Sequence, residues 1–322
     1  MAYTTIDKPS DYFNTKLTTG TGNSQAVTEV GFQPDWVWIK NRPDARDHQI
    51  YDSVRGTTKV IGSDRTSAEA TVSNGLTAFG SNGFTVGSDA NVNDSSDSHV
   101  AWQWKKSATA GFDIVSFTTS GDDENFSHSL GVKPELIIFK ARASSGNWAV
   151  IGEFAETTFN NKYMVLNLTD AQGSDGSYSN PTASQFSTSN NIAVDSTHIA
   201  YLFRSVQGFS KIGTYTGNGS TDGTFVYTGF KPAFVIVKGI SGALNWTMVD
   251  NKRDPFNDNS TNYLHPNTSG DEGVGLNFDF LSNGFKLRSN SSPTNGSGVS
   301  YIYMAFAENP FVTSTGIPTT AR

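Results

Sequence analysis

Cysteine is absent from the 322 residues. That excludes disulfides and thiolate metal sites, so stability has to come from burial and strand pairing. Charge is scarce too: Asp, Glu, Lys and Arg make up 16%, and Ser, Thr, Asn and Gly fill the polar positions. Such surfaces suit hydroxyl- and amide-lined β-structure better than helices, which prefer Glu, Lys, Ala and Leu. Basic residues are the minority, with Lys+Arg 23 against Asp+Glu 30 and a formal net charge of -7. No electrostatic case for a nucleic-acid partner remains. No stretch approaches the ~18 apolar residues of a membrane span. The opening MAYTTIDKPS has neither the basic nor the apolar region of a secretory signal. The expectation is a soluble chain without membrane insertion.

What the chain does contain is self-similarity. The run Gly31–Lys40 (GFQPDWVWIK) recurs as Gly131–Lys140 (GVKPELIIFK) and Gly229–Lys238 (GFKPAFVIVK). Pro34, Pro134 and Pro232 head these runs, and each run follows a Thr/Gly turn. The stretches also close alike: His99 to Trp104 (HVAWQW), His198 to Phe203 (HIAYLF) and Tyr301 to Phe306 (YIYMAF). The first and third share SNGF before that closing segment and an Asp-x-x-Arg, Asp52/Arg55 and Asp250/Arg253. The middle stretch lacks both and diverges most.

Proline at the head of each run fixes φ and removes a donor, which a strand tolerates at its first residue. The short β-branched or aromatic segments that follow, bounded by glycine-rich turns, read as strands buried on both faces. Asn-Gly pairs recur at hairpin spacing, and no window of useful length shows a capped 3.6 period. The predicted fold class is all-β: three tandem antiparallel β-sandwich modules, jelly-roll or lectin-like, from a repeat of ~100 residues. The expected boundaries are 1–110, 111–208 and 209–311, followed by an extended tail at 312–322. The short joins predict modules that pack with little freedom between them.

Several long segments carry a family resemblance: MAYTTIDKPSDYFNTKLTTGTG, GFQPDWVWIKNR, DSVRGTTKVI, and FLSNGFKLR with YIYMAFAENPF. Over Met1 to Phe311 the chain resembles virion proteins of marine, cyanophage-type phages, described as structural or tail-fibre-like with a domain of unknown function. The resemblance implies a place, the phage particle, and carries no catalytic signature.

Among the tryptophans, Trp36 and Trp38 share one face of a strand, as do Trp102 and Trp104. Leu136/Ile138 and Phe234/Ile236 stand at the first pair in the other stretches, and Tyr201/Phe203 and Met304/Phe306 at the second. Replacement by aliphatic residues fits a core and does not fit a sugar-stacking platform. Trp148 and Trp246 differ, because each follows an Asn after a Gly/Ser-rich loop. They are candidate ligand or partner contacts at a module rim, against the plainer reading of a packed strand start. Arg55 and Arg253 are candidates of the same kind, since Arg forms bidentate contacts with carboxylates; the plainer reading is an ion pair bracing a turn. The five histidines show no ligand spacing. The acidic loops Asn91–Asp97, Gly121–Asn125 and Ser269–Gly273 lack the spacing of a calcium loop. Neither metal, cofactor nor catalytic residue is expected, and no nucleophile elbow or phosphate loop occurs.

The functional expectation is a non-enzymatic virion structural protein, a tail fibre or tail-associated appendage that docks to other virion proteins and presents loops for host contact. A homotrimer is the favoured assembly; alternatively, three repeats let a monomer imitate a trimer. Capsid decoration and a lectin for host surface glycan are the competing readings.

Overall fold

The Pro-headed runs form the centre of the architecture. The computed structural model describes residues 2–121, 124–154, 162–174, 178–188, 196–258 and 260–319. It is nearly all-β, with several antiparallel sheets, none closed. Three sheets share one strand order. The first pairs Phe13–Thr19, Ser98–Trp104, Trp36–Asn41 and Gln49–Asp52; the third pairs Ser210–Thr216, Ser300–Pro310, Phe230–Gly239 and Thr247–Asp250. The second begins with Phe112–Thr119, Ser196–Phe203, Leu136–Ala141 and Ala149–Gly152, and continues through Lys162–Val165 to Gly173–Ser174. Registers correspond: Trp36 pairs with Trp104, Leu136 with Phe203 and Phe234 with Phe306.

Both faces of the central strands are buried, and the two-residue pleat assigns each face its own core. Trp36 and Trp38, Leu136 and Ile138, and Phe234 and Ile236 all point into one shared cluster, together with Trp102, Trp104, Tyr201, Phe203, Met304 and Phe306. Rings from different sheets touch there: Trp36 with Tyr201 at 4.7 Å, Trp102 with Phe234 at 5.7 Å, and Phe203 with Phe306 at 6.2 Å between centroids. The intervening residues, such as Val37, Ile137 and Val235, enter three separate clusters. In the first and third of these, the cover is a three-stranded sheet: Gln25–Val27, Gly83–Val86 and Leu76–Gly80, or Phe225–Tyr227, Gly284–Leu287 and Phe278–Leu281. In the second, Asn125–Ser127 pairs with Gln185–Ser187. Each large sheet is thus sandwiched between the shared core and its own cover.

Two expectations are corrected. Pro34 and Pro134 precede their strands, but Pro232 lies inside Phe230–Gly239, where the register shifts on both sides of it. A bulge accommodates the missing donor. Among the described residues, two one-turn α-helices occur, α1 (Ala90–Asn93) and α2 (Ser292–Asn295), too short to leave a periodic signal, which agrees with the lack of a capped 3.6 period. The tail is not extended over its described part: Val312 bridges Pro318 around a turn, and Asp7 accepts from the backbone N–H of Ser314 at 2.6 Å. With the Tyr3 hydroxyl donating to Gly229 O at 2.6 Å, the two ends of the chain are fastened to the third sheet and to one another.

Candidate functional site

Where the three sheets meet, the candidate residues come together in the interior. Trp148 is 0% exposed and Trp246 4%, so neither stands at a rim, and the expectation of a ligand contact there is corrected. Each indole instead donates to a backbone carbonyl of another sheet's stretch. Trp148 Nε1 reaches Gly62 O at 2.7 Å, and Trp246 Nε1 reaches Val165 O at 2.9 Å. An indole N–H leaving water needs such a partner. His48 holds the corresponding position in the first sheet. It accepts from Trp38 Nε1 on Nδ1 at 2.9 Å, which leaves the proton on Nε2, facing His265 O at 3.2 Å. Burial holds this imidazole well below its usual pKa, hence neutral. Trp38 stands where the other sheets have Ile138 and Ile236, so a larger neighbour accompanies the smaller ring. The first sheet thus bonds to the third, the second to the first, and the third to the second.

The backbone links the same three neighbours in the opposite sense. Glu69 N donates to Arg142 O, Gln172 N to Ile240 O and Glu272 N to Arg42 O, at 2.8, 2.9 and 2.8 Å. Two of these crossings also carry ion pairs, Arg142–Glu69 at 2.9 Å and Arg42–Glu272 at 2.6 Å.

Arg55 and Arg253 have fully buried side chains, which corrects their reading as outward contacts. Arg55 Nε pairs with Asp52 Oδ2, while Arg55 N–H donates to Asp52 Oδ1 at 2.8 Å. Arg253 repeats both contacts with Asp250, at 2.6 and 2.9 Å. Each aspartate takes one further donor from another sheet: the Tyr201 hydroxyl reaches Asp52 Oδ2 at 2.7 Å, and Trp102 Nε1 reaches Asp250 Oδ2 at 3.0 Å. In the second sheet Gly152 occupies the position of these aspartates, paired with Leu136 as Asp52 is with Trp36. The residue matching Tyr201 and Trp102 is then Met304, which has no proton to donate. Donor and acceptor disappear together, which explains why the middle stretch lacks the Asp-x-x-Arg.

Lys40, Lys140 and Lys238, which end the Pro-headed runs, are buried as well. Their Nζ atoms donate to backbone carbonyls, including Thr66 O from Lys140 at 3.0 Å and Thr169 O from Lys238 at 3.1 Å. Burial pushes each down to about 8 from 10.5. Above pH 8 the folded chain releases these protons while the unfolded chain keeps them up to about 10.5, so stability rises with pH in a window from about 8 until, near pH 10, the buried tyrosines, shifted upward, oppose it. The upward-shifted Asp64, at about 7, has finished its opposing effect below it. The urea midpoint is expected to be higher at pH 9.5 than at pH 7.5, and the difference to shrink in Lys140→Met. A flat or falling midpoint would contradict the shift.

Among the described residues, Asp44, Asp94 and Asp97 form one acidic group whose oxygens lie within 4.8 Å of one another. Arg46 pairs with Asp94 and Asn41 Nδ2 donates to Asp97 at 2.8 Å, so protein groups answer the charge. In the loop Ser269–Gly273, Glu272 is committed to Arg42 and Arg253. Residues 122 and 123 of the loop Gly121–Asn125 lie outside the described residues. Of the histidines, His99, His128 and His198 contact backbone carbonyls of their own stretch, and His265 that of Trp246.

In comparison with known proteins, residues 8–310 match a family described as a domain of unknown function, DUF7483. The match takes in all three sheets as one domain. No curated protein matches the chain.

Proposed function

We propose the following for this chain, which belongs to the DUF7483 family: it is a non-enzymatic phage virion protein, part of a tail fibre or tail-associated appendage, built as three tandem β-sandwich modules closed into a threefold body by a single chain. The observation that carries the reading is the one-way circuit of buried side-chain bonds, from His48 to His265 O, from Trp148 to Gly62 O and from Trp246 to Val165 O. Such a circuit is the contact pattern of a cyclic trimer, drawn here within one polypeptide. A chain so arranged suits a threefold position on a particle in place of three subunits. It presents three related surfaces on a stiff support, one to dock to neighbouring virion proteins and others to carry exposed loops. The phage assignment itself rests on the sequence resemblance to virion proteins.

Immunogold electron microscopy of intact phage, with antibody raised against the recombinant chain, tests the placement. Gold on the tail or its fibres is the expected result. Gold spread over the head would replace the appendage with a capsid decoration protein, and no labelling of the particle would remove the virion reading.

A further inference from the structure

The three sandwiches are not equally filled. In the first, His99 Nε2 lies 3.4 Å from Asn41 Nδ2; in the third, the matching Tyr301 hydroxyl accepts from Gly296 N at 2.7 Å and donates to Ser292 O. Helices α1 and α2 pack against Trp36–Asn41 and Phe230–Gly239. Among the described residues, the second sandwich has neither device. Ala141 stands where Asn41 would be, no described helix covers Leu136–Ala141, and His198, 1% exposed, has no partner for Nε2. His198 lies instead in the wall of a cavity of about 650 Å³.

We infer that this cavity in the middle module is a binding site for a neutral saccharide of about one or two sugar rings. Its volume falls within the roughly 300–1,000 Å³ of small-molecule sites. Its deep part is apolar and aromatic, with Phe139, Val165 and Tyr178 buried and Tyr163 half-buried, while its mouth carries the exposed Ser145, Asn147 and Asp170. Aromatic faces suit the C–H side of a sugar ring, and hydroxyl, amide and carboxylate groups suit its hydroxyls. Asn147 accepts from Asn167 Nδ2 on its Oδ1 at 2.9 Å, which fixes its amide at the cavity's edge. The nearby cation does not favour an anion: Lys140 Nζ is turned to Thr66 O and Gly146 O, both at 3.0 Å, and Asp170 adds negative charge at the mouth. This site goes beyond the scaffold reading, and it is measured on the recombinant chain, so its failure leaves the particle-labelling result untouched.

Saturation-transfer difference NMR on the intact chain, with the methyl glycosides of glucose, galactose, mannose and N-acetylglucosamine and with cellobiose and lactose, provides the test. At least one of these probes is expected to show transfer. The signal is expected to fall at least tenfold in Ala149→Trp, which fills the cavity from its wall, and in Asp170→Ala, an exposed mouth residue whose loss leaves the fold intact. Absence of transfer from every probe, or transfer undiminished in Asp170→Ala and in any Ala149→Trp protein that folds, would overturn the inference.

Discussion

Replacing Asp52 by alanine is expected to cost about 3–5 kcal/mol of stability, the range for leaving a buried charge without its partner. Asp52 is 0% exposed and receives the Arg55 guanidinium, the backbone N–H groups of Val54 and Arg55, and the Tyr201 hydroxyl of the second sheet. Its removal leaves the Arg55 charge in the interior with two carbonyls, the Tyr201 hydroxyl and, at 3.4 Å, Glu69 as partners. The orphaned charge, more than the lost attraction, sets the size of the effect. Asp52→Ala combined with Arg55→Met is therefore expected to recover part of the loss, because the double variant buries no unpaired ion. Asp250→Ala should act in the same direction but cost less, leaving the Trp102 N–H unpaired while Arg253 keeps Glu272 at 2.9 Å. Urea or guanidinium unfolding measures all of these. A loss below about 1 kcal/mol for Asp52→Ala, the value usual for exposed pairs, would show that water reaches the site.

Trp148→Ala is expected to cost a similar amount, about 3–5 kcal/mol, the usual range for truncating a buried tryptophan. Here the ring packs in the shared cluster against Tyr201 and bonds to the first sheet's stretch through Gly62 O. The two contributions separate in Trp148→Phe, which keeps most of the ring and removes the donor. Leaving the buried Gly62 carbonyl unpaired should cost about 1–3 kcal/mol. The melting midpoints of the two variants check the ordering, with Trp148→Phe between the wild type and Trp148→Ala. Two wild-type midpoints would mean that the indole does no bonding between sheets.

The all-β character was legible because short β-branched or aromatic runs, proline position and Asn-Gly turns are local signals. The core assignment of Trp36, Trp38, Phe234, Trp102, Trp104, Phe203 and Phe306 was legible too, since aliphatic substitution between related stretches marks positions that are filled. What escaped was the partner of each buried face. A strand buried on both sides announces its burial, but not which face meets its own cover and which meets two other sheets. For the same reason Trp148 and Trp246 read as rim residues: their acceptors lie 86 and 81 positions away along the chain, beyond any local pattern. One signal could have revealed them. Asp52, Gly152 and Asp250 vary in step with Tyr201, Met304 and Trp102, donor with acceptor, and the pairing holds only when each stretch is read against its neighbour in the circuit. The lysines ending the three runs were visible as a pattern, yet a lysine in a sequence is ordinarily a solvated one.

Differential scanning calorimetry of the intact chain, alone and as Asp52→Ala, tests most directly that the three sheets share one core. A shared core predicts a single transition whose calorimetric and van't Hoff enthalpies agree, with the whole transition moved to lower temperature by a change in the first sheet. Separate transitions, or a variant that shifts one and leaves the others in place, would contradict the account and describe three independent sandwiches on a string.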